Sequence, residues 1–131
     1  MNKLEKLIAL AEELGCKVWD RKVGELEGLY VDDNIALSPD IETTNRKCCV
    51  LAEEIGHHKY TVGDISDQTK IENRKQERVA RKWAYHKLLP IDAIKHALEM
   101  GYTEVWEIAD YFDADEQFVE EALIEYKLLD K

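Results

Sequence analysis

Three side chains in one short stretch of the chain have the chemistry to hold and use a metal ion. The stretch Glu53-Glu54-Ile55-Gly56-His57 places a carboxylate and an imidazole four positions apart. On a helix, residues i and i+4 share one face, so Glu53 and His57 can hold one ion together. Carboxylate oxygen and imidazole nitrogen are both ordinary zinc ligands. Glu54 points away from this pair and is placed to activate water as a general base.

This stretch differs by one residue from His-Glu-x-x-His, in which two histidines bind zinc and the glutamate is the base. Glu53 takes the place of the first histidine. The ligand pair could also be shifted by one position, because Glu54 and His58 are four residues apart as well. Alternatively, His58 is a polar residue near the helix end, where a histidine suits the helix dipole. Asp64 is either one more oxygen ligand or a loop cap, and a solvated charged face is the non-functional alternative for the whole stretch.

A zinc site needs a third protein ligand, and the next predicted helix carries two acidic candidates, Glu72 and Glu77. Glu77 is followed at helical spacing by Ala80 and Ala84. Small residues on that face let a neighbouring helix approach closely, so Glu77 can reach the first two ligands. Glu72 is expected in the first helical turn, where an acid suits the dipole. The predicted metal ligands are therefore Glu53, His57 and Glu77.

The strands that surround this helix are predicted from turn chemistry. Gly28–Val31 and Ile35–Leu37 flank an Asp-Asp-Asn turn, which predicts an antiparallel hairpin. Residues 17–19 are predicted to form a further short strand. Ser38-Pro39 ends the hairpin.

The helices are predicted from apolar spacing and from caps. Thr43 or Thr44 is expected to cap the helix with the candidate site. Thr103 is expected to cap the helix that begins at residue 104. Asp113 has capping-box spacing to Glu116 and is expected to cap the helix that begins there. The helix with the candidate site is predicted to run through Cys48, Leu51 and Ile55. The other predicted helices cover residues 4–14 (closed by Gly15), 72–89 (stopped before Pro90), 91–100, 104–112 and 116–128.

Composition sets broad limits on the class of protein. The chain has 131 residues, 45% hydrophobic and 35% charged, as expected for one soluble globular domain. It has no apolar run long enough to span a membrane and no signal-peptide pattern at its start, so a cytoplasmic location is expected. Three cysteines, two of them adjacent, make no disulfide framework and are expected to fill the core. Trp19, Trp83 and Trp106 are expected to anchor the core.

The charge is concentrated at one end. The chain carries a net charge of -10, and residues 91–131 alone, with 12 acids and 3 lysines, carry -9. The last two predicted helices have helix-turn-helix dimensions, but the second is lined with glutamates that would repel phosphates. DNA binding is therefore not expected. This acidic helical pair suits docking on a basic protein surface, or it completes the core.

The chain resembles the ImmA/IrrE family of metallopeptidases, in its short phage-associated form. The resemblance is carried by Gly28–Val31, by Val50–His57 and by the stretch from Glu77 through Trp83 and Ala84 to Leu88-Leu89-Pro90, with a weaker match in the tail. It implies an α+β fold: a compact zinc-peptidase-like domain, mostly helical, with a small antiparallel sheet and an acidic helical C-terminal tail. The implied division is a zincin-like metallopeptidase core at 1–90 and a helical extension packed on it at 91–131.

The resemblance also implies roles for the candidate residues. Glu54 matches the general base, His57 the second histidine ligand, and Glu77 the downstream glutamate ligand, while Glu53 departs from the family pattern at the first ligand. Two functions follow as hypotheses. One is a zinc-dependent endopeptidase that acts on a protein substrate, a repressor of a phage or mobile element. The other is a catalytically degenerate relative that binds a protein partner without cleaving it.

Overall fold

A computed structural model describes the backbone of residues 1–60 and 70–130, and the side chains of 1–60 and 74–130. The predicted loop around Gly63, the candidate ligand Asp64 and the side chain of Glu72 lie outside these described residues. The described helices are α1 (Lys3–Glu13), α2 (Thr44–Tyr60), α3 (Lys70–Leu88), α4 (Ile91–Glu99), α5 (Val105–Phe112) and α6 (Glu116–Glu125). The described strands are β1 (Lys17–Asp20), β2 (Gly28–Val31) and β3 (Asn34–Leu37). The prediction of a mostly helical α+β fold is confirmed.

The three strands form a mixed sheet in the order β1-β3-β2. The predicted hairpin is confirmed: β2 and β3 pair antiparallel, and Asp32 and Asp33 turn the chain with φ of 46° and 64°. The sheet as a whole is not antiparallel, because β1 lies parallel to β3 with Val18 opposite Ile35. A hairpin is a local signal, whereas the β1–β3 pairing joins distant segments and leaves no turn signature. The strand β2 is left at one edge of the sheet.

Helix α2 lies at the centre of the protein, because it contributes to two hydrophobic clusters. The first cluster packs it against α1 and the inner face of the sheet, with buried Leu51 and Ile55 from α2 and buried Ile35 from β3. The second packs it against α3 and the C-terminal helices, with Ala52 from α2 and Phe118 from α6. Such burial on several sides holds the helix rigidly, which suits an element that carries a site. The three cysteines are buried and unpaired, as predicted.

The C-terminal helices share the second cluster with α3, where Leu89, Ile94 and Phe118 are fully buried. Lys3 from the start of the chain donates hydrogen bonds of 3.0 Å to the carbonyl oxygens of Phe112 and Asp113. The segment 91–130 therefore packs on the rest of the protein, while the division at residue 90 stays a prediction. None of the described helices is both long and apolar enough to cross a membrane.

The predicted N-terminal caps of α5 and α6 are wrong. Helix α5 begins after Glu104, which forms a capping box with Glu107, rather than after Thr103. Helix α6 begins after Asp115, whereas Asp113 closes α5 with a left-handed φ of 54°. Acids at several neighbouring positions can cap a helix, so spacing alone does not identify the one that does.

The tryptophans differ in burial. Trp83 packs against both clusters, as predicted. Trp19 and Trp106 are 51% and 60% exposed, so neither anchors the core. Trp19 lies on the outer face of the sheet, where its indole N–H donates to Asn34 at 2.9 Å. An aromatic residue type predicts burial on average, but tertiary packing decides which ring is covered.

Candidate metal centre

Helices α2 and α3 meet at two small residues, and this contact positions the site. A Cβ atom added to Gly56 would lie 2.5 Å from the carbonyl oxygen of Ala80 and 2.9 Å from its Cα atom. Only glycine allows the two backbones to approach this closely. The prediction that small residues on α3 let it approach α2 is therefore confirmed.

The close approach brings His57 of α2 against Glu77 of α3. Nε2 of His57 and Oε2 of Glu77 are 2.9 Å apart. Burial alone would lower the pKa of His57, but the hydrogen bond and charge of Glu77 outweigh it and raise the pKa above the ordinary value. The same hydrogen bond holds the pKa of Glu77 below its ordinary value, against the effect of burial. The two groups therefore form a charge-assisted pair at the helix contact.

Glu54 is half-buried against the edge strand β2. A Cβ atom on Gly28 would lie 2.9 Å from Oε2 of Glu54 and 2.6 Å from a methyl group of Val50, so the carboxylate lies close to the bare glycine backbone. Burial raises the pKa of Glu54 to about 7, with His57 opposing the shift and the other acids adding to it. A carboxylate with a pKa near neutrality can both accept and return a proton at physiological pH, as a general base must.

Glu53 is placed differently from the other two predicted ligands. Burial raises its pKa, while the charges of Arg81 and Arg46 oppose that shift. Among the described residues, no three His, Cys, Asp or Glu side chains are arranged to hold a metal ion. The structure thus brings His57 and Glu77 together, and Glu53 does not complete a three-residue group with them.

His58 makes structural contacts instead of joining this pair. Its Nδ1 lies 2.9 Å from the hydroxyl of Tyr30, and its Nε2 lies 2.8 Å from the carbonyl oxygen of Leu14. Asp33 lies 3.4 Å from Nδ1 as well. Because a carbonyl can only accept, Nε2 carries a proton and donates to Leu14. Both nitrogens are therefore engaged, and the arrangement favours the His57 register over one shifted to His58.

The two donors at the helix contact, an imidazole nitrogen and a carboxylate oxygen, are of the kinds that zinc accepts, although the described residues form no three-donor group with them. One imidazole nitrogen and one carboxylate oxygen already face each other, joined by a proton that a metal ion would displace. Tetrahedral zinc ligands, bound at about 2.0–2.1 Å, stand roughly 3.3 Å apart, so His57 and Glu77 need to separate only slightly. Glu53 would have to move towards this pair to complete a three-residue set.

Two residues of this region were not predicted as part of the site. The sequence predicts Gly28 as a strand residue and as part of the family resemblance, although a glycine inside a strand can also mark a close approach of another group. Arg81 is not among the predicted site residues, yet its guanidinium Nη2 lies 3.7 Å from Oε1 of Glu77. Its signal was the four-residue spacing from Glu77, which is common on any helix surface and points to no site by itself.

The fold and the site together define a metallopeptidase-like domain: a central helix with a Glu-Glu-x-x-His stretch, a glutamate from the next helix and a small sheet beside them. The sequence model of the Peptidase_M78 family, described as an IrrE N-terminal-like domain, matches residues 11–123. The chain belongs to this family, which confirms the resemblance to ImmA/IrrE metallopeptidases. No curated protein matches the chain.

Proposed function

We propose that this protein is a zinc-dependent endopeptidase that cleaves a protein substrate. One observation carries the proposal: His57 and Glu77 meet at 2.9 Å on two packed helices, beside the half-buried carboxylate of Glu54. Membership of a peptidase family supports the same activity. The proposed metal ligands are His57, Glu77 and Glu53, and the proposed catalytic base is Glu54.

The chemistry follows from where these side chains lie. A bound zinc ion supplies Lewis acidity, which polarises a peptide carbonyl and makes water more acidic. Glu54 accepts a proton from the attacking water and returns it to the leaving nitrogen, which its pKa of about 7 permits. The packing of Glu54 against Gly28 limits where the carboxylate can move, so the base stays oriented.

The proposed substrate is a repressor of a phage or mobile element, acted on in the cytoplasm. The resemblance to short phage-associated members supports this substrate class. The surface of the C-terminal segment supports a protein partner over DNA, because acids such as Asp110, Glu116 and Glu120 are exposed on it. Phosphates would be repelled by that surface, whereas a basic protein patch would be attracted.

The test combines metal analysis with a base variant. Protein purified without added metal is analysed for bound elements and is then incubated with repressors encoded beside its gene. Glu54→Gln should retain the metal and lose cleavage, because the amide cannot accept a proton and Glu54 is not a proposed ligand. Full cleavage by Glu54→Gln would show that Glu54 is not the catalytic base. Wild-type protein that contains no bound metal would contradict the proposed metal centre.

The second candidate function is that of a binding module, which binds a partner protein without cleaving it. The position of Glu53 favours it, because this side chain does not complete a three-donor group with His57 and Glu77. Glu53→His separates the two functions by restoring the His-Glu-x-x-His pattern. If the wild type binds a repressor intact and only Glu53→His binds zinc tightly and cleaves, the protein is a binding module.

A further inference from the structure

Arg81 lies at the edge of the candidate metal centre, one helical turn after Glu77. Its guanidinium Nη2 is 3.7 Å from Oε1 of Glu77, and its side chain is 51% exposed. Both residues line a groove of about 740 Å³ between α3 and α6. Arg81 is therefore a cation that touches a proposed ligand while keeping room to move into the groove.

The charges around the centre explain why a cation is needed there. Glu53, Glu54 and Glu77 surround one imidazole, and like charges this close destabilise each other. Arg81 and Arg46 are the two cations whose fields reach Glu53, whereas Glu77 and Glu121 add negative charge. The acids of the metal-free centre are thus balanced by the pair with His57 and by arginine.

The two arginines differ in how firmly they are held. Arg46 donates two hydrogen bonds to the carboxylate of Glu27, at 3.0 and 2.8 Å. Such a bidentate pair fixes the guanidinium plane. Arg81 has one contact at 3.7 Å and no comparable pair among the described residues. Arg81 is therefore the arginine that can leave when another cation arrives.

We propose that Arg81 is a positioning residue that serves as an internal counter-cation: it pairs with the Glu77 carboxylate in the metal-free protein and competes with the metal ion for it. This inference rests on the proposed metal centre. When a divalent ion binds Glu77 and Glu53, the guanidinium is repelled and swings into the groove between α3 and α6.

This role has a signature that a purely structural role lacks. Removing the charge of Arg81 leaves the carboxylates unbalanced, so the metal-free protein becomes less stable. It also removes a repulsion on the incoming ion, so zinc binds more tightly. A residue that only supported the fold would, on removal, weaken both stability and zinc binding.

The experiment compares Arg81→Gln with two matched variants in the full chain. Arg81→Lys keeps the charge, and Lys82→Gln removes a charge from the next position, where Nζ lies 3.7 Å from Glu125 and away from the centre. Zinc affinity is measured by competition with a chromophoric chelator at low and high salt. The Tm of each protein is measured after chelator treatment.

We expect Arg81→Gln to bind zinc about tenfold more tightly than the wild type at low salt, with this ratio shrinking at high salt. Arg81→Lys and Lys82→Gln should stay within about twofold of the wild type, because both keep the charge beside Glu77. The metal-free Tm of Arg81→Gln should fall below that of Lys82→Gln.

If Arg81→Gln binds zinc as tightly as the wild type or more weakly, the counter-cation role is overturned. The proposed metal centre is not affected by this result. Equal tightening in Arg81→Lys would overturn it too, since charge would then not be the cause. Failure of every protein, the wild type included, to bind zinc would overturn both this role and the metal centre.

Discussion

Nε2 of His57 and Oε2 of Glu77 lie 2.9 Å apart although they belong to different helices. The contact exists because Gly56 and Ala80, each beside one of these residues, let the two backbones approach closely. The fold itself thus brings two proposed ligands together before any ion binds. Such preorganisation lowers the cost of assembling a metal site.

The neighbouring histidines allow a matched test of the site. His57→Ala should abolish stoichiometric zinc binding, because it removes the only proposed nitrogen ligand. His58→Ala should keep zinc binding and instead lower the free energy of unfolding by about 1–2 kcal/mol, through lost hydrogen bonds to Tyr30 and Leu14. Elemental analysis and urea unfolding measure the two effects. Zinc binding that survives in His57→Ala and disappears in His58→Ala would show that the register is shifted by one residue.

The helix contact itself is tested by Gly56→Ala. Alanine favours a helix over glycine by up to about 1 kcal/mol. The new Cβ would nevertheless meet the backbone of Ala80, which cannot rotate away, and such overpacking costs about 1–3 kcal/mol or more. We expect a net loss of stability together with weaker zinc binding, because α3 must move and carry Glu77 away from His57.

Gly15→Ala is the control for this variant. Gly15 has a left-handed φ of +95°, and a Cβ there would meet no atom within 4 Å. The substitution should strain the chain at the end of α1 and lower the Tm without changing zinc affinity. If Gly56→Ala behaves like Gly15→Ala, with zinc affinity unchanged, the close helix contact does not position the ligands.

The parts of the fold that follow local rules were predictable from sequence. Helix α1 with Gly15, the β2–β3 hairpin with Asp32 and Asp33, and the end of α3 before Pro90 all follow from residue types within a few positions. The parallel pairing of β1 with β3 and the exposure of Trp19 depend on distant segments. Spacing in the sequence carries no information about them.

The site was predictable to a similar extent. The contact between His57 and Glu77 followed from helical spacing and from Ala80 on the facing helix. The environment of Glu53 did not follow from the sequence. The pKa of a carboxylate that is partly removed from water depends on which charges the fold brings near it. Arg81 comes from another helix, and its effect on Glu53 appears only in three dimensions.

A pH-dependent contribution to stability is expected from Glu27. The hydrogen bonds and charge of Arg46 outweigh burial and hold the pKa of Glu27 below its ordinary value of 4.5. A carboxylate with a lowered pKa stabilises the fold above its ordinary pKa, and this contribution is lost as the pH falls through the lowered value. Glu27→Gln should therefore lower the Tm by about 2–4 °C near pH 7, and the difference should shrink as the pH falls below 4.5.

Lys22→Gln provides the comparison for this pH series. The ion pair of Lys22 with Asp40 is about two-thirds exposed on both sides, so its loss should change the Tm little at any pH. Circular dichroism melts from about pH 3 to pH 8 follow both variants. A Tm difference for Glu27→Gln that does not shrink as the pH falls below 4.5 would show that lost packing, and not the charge of Glu27, is responsible.

The C-terminal helices are expected not to bind DNA. Residues 91–131 carry a net charge of -9, and Glu116 and Glu120 are exposed on α6, where a recognition helix would need cations. In a mobility-shift assay at low salt, where non-specific binding is strongest, the wild type should leave promoter DNA unretarded. The double variant Glu116→Lys/Glu120→Lys should cause weak retardation that added salt removes, which shows that the assay can detect binding by this surface. Tight retardation by the wild type that this variant alters would instead assign α6 a role in transcriptional regulation.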